Sequence, residues 1–297
     1  MTSQMRPDWI KIILLSLFAA AGCTTIHARA ASQDTLLETV RKIEHRSNGQ
    51  LGIAIHDTGL DRHWYYKADE RFPLSSTFKP FACAGLLSKM DKGEEHLDRR
   101  LIVHSEDIVT YSPVTANHIG PPGLSLSQLC EATITLSDNT AGNFVLKALG
   151  GPTGFTAYMQ SIGDKTTRLD RWETALNEAH PGDAQDTTTP RAAMTSLTTL
   201  LLGEALSPAS RDRLTGWMRN DKVADALLRA SLPQNWEIAD KTGAGNNGSR
   251  GIIAVIWPPA QAPLIVAIYM TGTSFSLEER NTAIAEIGHA LVRERAH

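Results

Sequence analysis

Apolar residues recur at helical spacing through the middle of the chain and at strand-like spacing near both ends. At the N-terminal end, the pattern predicts a helix from about Asp34 to His45 and strands Leu51 to His56 and His63 to Tyr66. Near the C-terminal end, it predicts three strands and a closing amphipathic helix: Trp236 to Lys241, Arg250 to Trp257, Leu264 to Thr271 and Leu277 to Arg293. The middle is predicted to be helical: Thr77 to Met90, Ser127 to Leu136, Thr140 to Leu149, Pro152 to Ile162, Pro190 to Leu202, Pro208 to Met218 and Lys222 to Ala230.

The predicted strands therefore come from both ends of the chain and enclose a block of helices. The economical arrangement is α+β, with one five-stranded antiparallel sheet packed on the terminal helices and an all-helical lobe inserted into it. Residues of about 31–68 and 219–297 would form the α/β lobe, and residues of about 69–218 the helical lobe. A cleft between the two lobes is where we expect a small-molecule site.

Residues 1–30 have the features of an export signal. A basic start precedes an apolar stretch from Ile12 to Ala21 and the small-residue pattern Ala28-Arg29-Ala30. The apolar stretch is about half of the length that spans a bilayer, so we expect no stable membrane anchor. Cleavage after Ala30 would release residues 31–297 into the periplasm, and a lipoprotein signal ending at Cys23 is the less favoured alternative.

The charge balance argues against a polyanionic partner. The formal net charge is −3, from 29 Lys and Arg against 32 Asp and Glu, and no basic block interrupts the chain. A nucleic-acid-binding protein would need a concentrated basic surface, so nucleic acid is not an expected partner.

Export also changes the interpretation of the cysteines. Cys83 and Cys130 remain after cleavage, as an even pair in an oxidising compartment. The compartment and the count favour a disulfide between them over two buried free thiols.

Three short polar motifs carry candidate chemistry. Ser76 and Lys79 stand three residues apart at the start of a predicted helix, where they share one face and the lysine can accept the serine proton. Ser137-Asp138-Asn139 lies at a helix junction, and Lys241-Thr242-Gly243 ends a predicted strand. Singly, these motifs are a helix cap, a surface lysine or a strand end, but together and in this order they are typical of serine acyl-transfer sites that react with β-lactams.

A fourth element is the polar stretch that runs from Arg171 to Pro190 without helical or strand patterning. A loop of this length within a compact domain is usually functional. Glu173 and Asn177 lie in it four residues apart, and a carboxylate and an amide at this spacing can hold one water between them.

These motifs, taken together, resemble the class A β-lactamases, close to the TEM and SHV group. The resemblance covers nearly the whole chain after the signal, through Ala68–Pro73, Ser76–Lys79, Tyr111–Val114, Ser137–Asn139, Leu169–Glu173, Asp186–Pro190, Ala239–Gly245 and Glu279–Asn281. It implies a hydrolase with a penicillin-binding transpeptidase-like fold that opens the β-lactam ring of penicillins and early cephalosporins, confers resistance and needs no metal or cofactor. We expect a monomer that clavulanate-type compounds inhibit.

The resemblance also implies a role for each residue of the site. Ser76 would attack the lactam carbonyl, and the backbone N–H groups of Ser76 and Ala244 would form the oxyanion hole. Lys79, and Glu173 acting through water, are both candidate bases for acylation. Ser137 would pass a proton to the departing lactam nitrogen.

The remaining implied roles concern deacylation, substrate binding and support of the site. Asn177 would hold the deacylating water together with Glu173. The expected substrate contacts are Lys241, Thr242 and Arg250 to the carboxylate, Asn139 to the acylamide and Tyr111 at the entrance. The expected supports are an ion pair between Arg171 and Asp186 and a disulfide between Cys83 and Cys130.

The sequence departs from the family pattern in two places. Thr174 follows the catalytic glutamate where many relatives have proline, and those relatives suggest a cis bond between Glu173 and Thr174. The chain also has one extra residue near Gly120-Pro121-Pro122-Gly123. Gly245 matches the narrow-spectrum members of the family, and Ser75 excludes the extra disulfide that several class A carbapenemases have.

Two other readings share part of the pattern. A cell-wall peptidase of the penicillin-binding class would share the first three motifs but lack the loop that bears Glu173 and Asn177. A β-lactam sensor would acylate without turnover and would be tethered to a transmembrane signalling segment.

Overall fold

The computed structural model describes residues 1–2 and 35–295, and the predicted export signal lies almost entirely outside them. The strands are β1 (Gln50–Asp57), β2 (Arg62–Tyr66), β3 (Phe72–Pro73), β4 (Arg100–Val103), β5 (Gly120–Ser125), β6 (Thr187–Thr188), β7 (Glu237–Ala244), β8 (Arg250–Trp257) and β9 (Leu264–Thr271). The α-helices are α1 (35–47), α2 (Phe78–Asp91), α3 (Leu126–Thr135), α4 (Asn139–Leu149), α5 (Gly151–Ser161), α6 (Pro190–Leu201), α7 (Pro208–Arg219) and α8 (Leu277–Arg295).

Five strands from the two ends of the chain form one antiparallel sheet in the order β2-β1-β9-β8-β7. The α+β fold with a five-stranded antiparallel sheet is therefore confirmed. Among the described strands, β7 lies at an edge of the sheet and pairs with β8, in a register that places Ala244 opposite Arg250. The site-bearing motif Lys241-Thr242-Gly243 therefore lies at an edge of the sheet, against the start of α2.

Strand residues alternate between two buried cores, as strand geometry requires. Ile252, Ala254 and Ile256 of β8 join the core that α1 and α8 cover. Ile253 and Val255, which point to the other face, join the larger core made with the helices of the middle segment. The sheet thus separates the terminal helices from the helical block, and the buried α2 lies within that block.

Most predicted helices are present with boundaries shifted by a residue or two, but the helix predicted over Lys222 to Ala230 is wrong. This segment forms turns and a short 3₁₀ helix, Leu228–Ser231. The Lys222 amide donates to Thr135 O at 2.8 Å, and the Val223 amide donates to the Asp221 carboxylate at 2.9 Å. The Asp221 side chain and a carbonyl of a distant segment thus hold the start of this segment in a turn, and such side-chain bonds to the backbone compete with helix formation.

Two small antiparallel pairs were not predicted from the pattern. β3 pairs with β6, which ties the segment before Ser76 to the end of the long loop. β4 pairs with β5, where Pro121 and Pro122 are joined by a cis bond at the site of the extra residue. The pattern did not indicate this strand pair because β5 contains proline and glycine, which are both unfavourable in strands.

The predicted disulfide is confirmed. Cys83 on α2 and Cys130 on α3 are bonded, with their Cα atoms 5.7 Å apart. The bridge therefore joins two buried helices of the helical block. Among the described residues, no helix combines the length and the apolar character needed to cross a membrane.

Candidate active site

Ser76 lies in a buried 3₁₀ turn, Ser75–Thr77, that leads directly into α2. Thr77 Oγ1 fastens this turn by donating to Leu74 O at 2.6 Å. The edge strand β7 approaches so closely that a Cβ on Gly243 would lie 3.0 Å from both Leu74 O and Ser76 N. Glycine at position 243 therefore lets the sheet edge meet the turn that presents Ser76.

Lys79 extends from the first turn of α2 into the interior, where its side chain is fully buried. Its ammonium donates to Ser137 O at 2.9 Å, to Ser137 Oγ at 3.4 Å and to Asn139 Oδ1 at 2.6 Å. It also lies 3.1 Å from Glu173 Oε1. Burial lowers the pKa of Lys79, and the Glu173 carboxylate opposes that shift.

The hydrogen bond between Lys79 and Ser76 that the spacing suggested is not among the contacts of the described residues. Lys79 turns instead toward the junction of α3 and α4. It therefore connects two of the predicted motifs, the one at Ser137 and the loop that carries Glu173.

Ser137 occupies a left-handed conformation, with φ 59°, immediately before α4. The next residue, Asp138, is fully buried and caps α4 by accepting from the Ala141 amide at 2.8 Å. Its other oxygen accepts from the Val114 and Thr115 amides, both at 2.9 Å. One carboxylate therefore fixes both the serine-bearing junction and the segment that follows Tyr111.

Glu173 is buried in the long loop and is joined to Thr174 by a cis peptide bond, as the proline-bearing relatives suggested. Asn143 of α4 holds its backbone on both sides: Glu173 N donates to Asn143 Oδ1 at 2.9 Å, and Asn143 Nδ2 donates to Glu173 O at 3.0 Å. Asn177 Nδ2 donates to Glu173 Oε2 at 2.6 Å. The predicted carboxylate and amide are thus in direct contact.

The ends of this loop are joined by Arg171 and Asp186, which form the predicted ion pair. Asp186 is buried, and its other oxygen accepts from the Asp170 amide at 2.7 Å and from the Arg171 amide at 2.9 Å. Arg171 also contacts Glu178 at 2.7 Å and Asp183 at 3.2 Å. Arg171 therefore forms ion pairs with three carboxylates of the loop, those of Glu178, Asp183 and Asp186.

Lys241 and Arg250 supply buried positive charge on the sheet side of the site. Lys241 Nζ donates to Thr242 O at 3.0 Å, and Arg250 Nη1 donates to Thr242 Oγ1 at 3.1 Å. Burial lowers the pKa of Lys241 to about 8 and that of Arg250 to about 10; the Asp221 carboxylate opposes both shifts. Both groups carry positive charge at neutral pH without a hydrogen-bonded carboxylate among their described partners.

These elements surround an open cleft of about 360 Å³. The helical block supplies Ser76, Tyr111, Ser137 and Asn139 to its wall, and the sheet supplies Thr242, Ala244 and Arg250. Asn177 adds the edge of the long loop. A serine hydroxyl, a buried lysine, a carboxylate with its amide and a cationic wall are the groups that acyl transfer to and from serine requires.

Several residues of the site were missed by sequence reasoning. Asn143 stands one helical turn after Asn139, so the helical spacing could have suggested that both face the site. Asp221 lies before a segment that the pattern misassigned as a helix, and nothing local marked it. Val223 and Leu277 complete the apolar part of the cleft wall.

Comparisons with known proteins agree with this geometry. A model of the β-lactamase enzyme family matches residues 35–294. β-Lactamase AER-1 from Aeromonas hydrophila is 48% identical over 282 residues, which are 95% of this chain and 92% of that protein. The solved structure of an ancestral class A β-lactamase has a TM-score of 0.85 and 52% identity, over 87% of this chain and 99% of that one. That of the last common ancestor of Gram-negative bacteria class A β-lactamase has a TM-score of 0.86 and 50% identity, over 88% of this chain and 99% of that one.

Proposed function

The chain belongs to the class A β-lactamase family and hydrolyses β-lactams, conferring resistance to them, and from this premise we propose that Ser76 is its nucleophile. The observation that supports this assignment is the 3.1 Å distance between Lys79 Nζ and Glu173 Oε1, next to the cleft that Ser76 lines. A nucleophile, a proton acceptor and a carboxylate that activates water then act on one bound substrate.

Acylation begins when Ser76 Oγ attacks the lactam carbonyl carbon and loses its proton to a base. The backbone N–H groups of Ser76 and Ala244 stabilise the negative charge that develops on the carbonyl oxygen. Either a neutral Lys79 or Glu173 acting through water takes the proton. As the C–N bond breaks, Ser137 gives a proton to the lactam nitrogen and recovers one from Lys79, to which it lies at 3.4 Å.

Deacylation depends on Glu173 and Asn177. The Glu173 carboxylate takes a proton from a water that attacks the ester carbonyl. As the Ser76–acyl bond breaks, this proton passes to Ser76 Oγ, which regenerates the hydroxyl and leaves Glu173 ionised again. Asn177 Nδ2 orients Glu173 Oε2 through their 2.6 Å hydrogen bond. Asn143 of α4 makes two hydrogen bonds to the backbone of Glu173. These bonds fasten the loop that carries Glu173 to a helix.

Substrate binding follows from the charge of the cleft. Lys241, Thr242 and Arg250 hold the substrate carboxylate, Asn139 contacts the acylamide, and the exposed ring of Tyr111 lines the entrance. Gly245 leaves no room for a larger residue, since a Cβ there would lie 2.8 Å from Ser249 Oγ and 2.9 Å from Asn177 O. We propose a TEM- and SHV-like preference for penicillins and early cephalosporins, and inhibition by clavulanate-type compounds through Ser137 and Arg250.

We also propose the setting in which the enzyme works. The features of residues 1–30 support export to the periplasm and cleavage after Ala30. The mature protein acts as a monomer with two interleaved lobes, residues of about 31–68 and 219–297 forming one and residues of about 69–218 the other.

The test of the mechanism uses the chromogenic cephalosporin nitrocefin with the wild type, Ser76→Ala and Glu173→Ala. The wild type turns over, and Ser76→Ala does not form an acyl-enzyme. Glu173→Ala reacts once and then stalls, with steady-state turnover reduced by roughly 10²- to 10⁴-fold. Mass spectrometry of the stalled protein shows the acyl adduct on Ser76.

Glu106→Ala, at an exposed glutamate outside the cleft, is the control and retains wild-type turnover. Full turnover by Glu173→Ala would refute the role of Glu173. Acylation of the wild type without turnover would instead identify a sensor or a cell-wall peptidase.

A further inference from the structure

Two histidines and an aspartate meet on the β1–β2 hairpin. His56 of β1 and His63 of β2 are directly opposite each other in the register of the pair. Both project from the sheet face that carries Ala54 and Tyr65, because side chains two residues apart share a face. Asp61 stands in the turn between the strands with φ 49°, a conformation that aspartate tolerates.

The side-chain atoms of these residues converge on one point. His56 Nε2 lies 3.2 Å from Asp61 Oδ1, and His63 Nε2 lies 3.5 Å from the same oxygen. Ligand atoms from all three lie within 4.8 Å of one another. Among the described residues, this is the group of histidine and carboxylate side chains that comes close enough to share one ion.

These separations match a tetrahedral metal better than a pair of strong hydrogen bonds. Ligands at about 2.0–2.1 Å from a tetrahedral ion lie roughly 3.3 Å from each other. The two nitrogen–oxygen distances, 3.2 and 3.5 Å, fall on either side of that value. A charge-assisted N–H···O bond would be about 2.7–2.9 Å long.

Tyr65 and the stacking of the two rings constrain the histidines of this cluster. Tyr65 Oη lies 2.9 Å from His63 Nδ1, and by accepting from that nitrogen it leaves the Nε2 lone pair of His63 free for a metal. The two imidazole rings stack with centroids 4.1 Å apart, and the Nε2 atoms of both rings lie next to Asp61 Oδ1. Asp61 is 89% exposed, which leaves room for a water as the fourth ligand.

We propose that His56, Asp61 and His63 form a binding site for a divalent transition metal, with Zn²⁺ as the best match to two imidazoles and one carboxylate. The site lies at the opposite edge of the sheet from β7, which carries Lys241 and Thr242. The metal would link β1 to the edge strand β2 and stabilise the folded chain, without taking part in β-lactam hydrolysis.

The test is a calorimetric titration of the untagged, chelator-treated mature protein with ZnCl₂. The wild type binds a single zinc ion in a saturable step, and zinc raises its melting temperature. His56→Ala and His63→Ala each lose at least about 10-fold in affinity, the minimum expected when a group that supports a metal site is removed. Both variants keep wild-type nitrocefin turnover, which shows that they are folded.

His289→Ala, at an exposed histidine of α8, is the matched control and binds zinc as the wild type does. Two outcomes would overturn the proposal: no saturable zinc binding by the wild type, or unchanged affinity in both His56→Ala and His63→Ala. A loss of affinity in His289→Ala equal to that in the hairpin variants would place the metal elsewhere and overturn it as well.

Discussion

At the scale of single residues, the sheet side of the cleft contains two buried cations, Lys241 and Arg250, whose described hydrogen-bond acceptors are neutral. Lys241 donates to a backbone carbonyl, and Arg250 donates to Thr242 Oγ1, to Gly243 O and to the Asn281 side chain. Burial makes a charged form costly, and an incoming anion offsets that cost. Under the substrate contacts that we propose, a bound carboxylate would offset part of the cost of burying Lys241 and Arg250.

This arrangement predicts an alkaline limit to activity. Because burial lowers the pKa of Lys241 to about 8, its positive charge is present below that pH and lost above it. For a penicillin that bears a carboxylate, kcat/KM falls as the pH rises through about 8. Steady-state kinetics over the neutral and alkaline range measures this fall, which is the alkaline limb of the pH profile of kcat/KM.

Replacing Asp221 tests the origin of the limb. The Asp221 carboxylate raises the pKa of Lys241 by attraction, so Asp221→Asn lowers that pKa and moves the alkaline limb to lower pH. Asp212→Asn, at an exposed position on α7, leaves the limb in place. A limb that does not move in Asp221→Asn contradicts this account of Lys241.

At the scale of elements, catalytic geometry depends on how a loop and two helices are fastened to each other. The loop that bears Glu173 has little regular structure beyond the 3₁₀ turn Ala175–Asn177. It is closed by the pair of Arg171 with Asp186 and held to α4 through Asn143. The disulfide between Cys83 and Cys130 then joins α2, which carries Lys79, to α3, which ends just before Ser137.

Asp186→Ala should loosen the loop more than it harms the serine. Asp186 is buried and bonds both Arg171 and two backbone amides, and breaking such a pair costs about 3–5 kcal/mol. We expect deacylation to slow more than acylation, as measured by stopped-flow kinetics with nitrocefin. Asp183→Ala removes a partly exposed partner of the same arginine and costs under about 1 kcal/mol; equal effects of the two variants would exclude this explanation.

The disulfide should contribute to stability through the loop that it closes. Cys83 and Cys130 are 47 residues apart, and the chain-entropy treatment gives about 4 kcal/mol for a loop of that length. Urea denaturation of the double variant Cys83→Ala/Cys130→Ala measures the loss, with reduced wild type as the comparison. Recovery of two free thiols from the native, oxidised mature protein would disprove the bridge in solution.

At the scale of the whole molecule, the two ends of the chain hold each other in place. The C-terminal helix α8 covers the sheet, and its last turn meets the N-terminal hairpin through Glu294 with Arg62 and through Arg295 with Asp57. These side chains are largely buried, with Glu294 2% exposed. The β1–β2 hairpin is therefore joined to α8 by ion pairs between segments that are far apart in sequence.

Glu294→Ala should destabilise the fold without changing the chemistry. It leaves Arg62, 12% exposed, without its buried partner, which costs about 3–5 kcal/mol. Thermal and urea unfolding measure the loss, while kcat/KM at a temperature where the variant is folded stays at the wild-type value. Glu131→Ala, at an exposed position on α3, should leave stability nearly unchanged. Equal losses of stability in the two variants would refute the role of the ion pair between Arg62 and Glu294.

By itself, the sequence determined most of the helices, the strands of the five-stranded sheet and, through the family resemblance of its motifs, the reaction class. Short apolar runs at both ends predicted the strands of the five-stranded sheet. In β8 and β9 these runs are continuous, because alternate residues enter two different apolar cores. Ser76, Lys79, Ser137, Glu173 and Lys241 stood out because their motifs occur in a fixed order along the chain.

Only the tertiary structure decided which of these groups meet. Helical spacing could place Lys79 near Ser76. In the fold, its buried ammonium instead contacts oxygens of Ser137, Asn139 and Glu173, which are far from it in sequence. Helical spacing from Asn139 could suggest which way Asn143 faces, but it could not identify Glu173 as the partner of Asn143. Nothing local marked Asp221. Hydrophobic periodicity is a local property and survives in the sequence, whereas the pairing of buried polar groups is set by whichever segments the fold brings together.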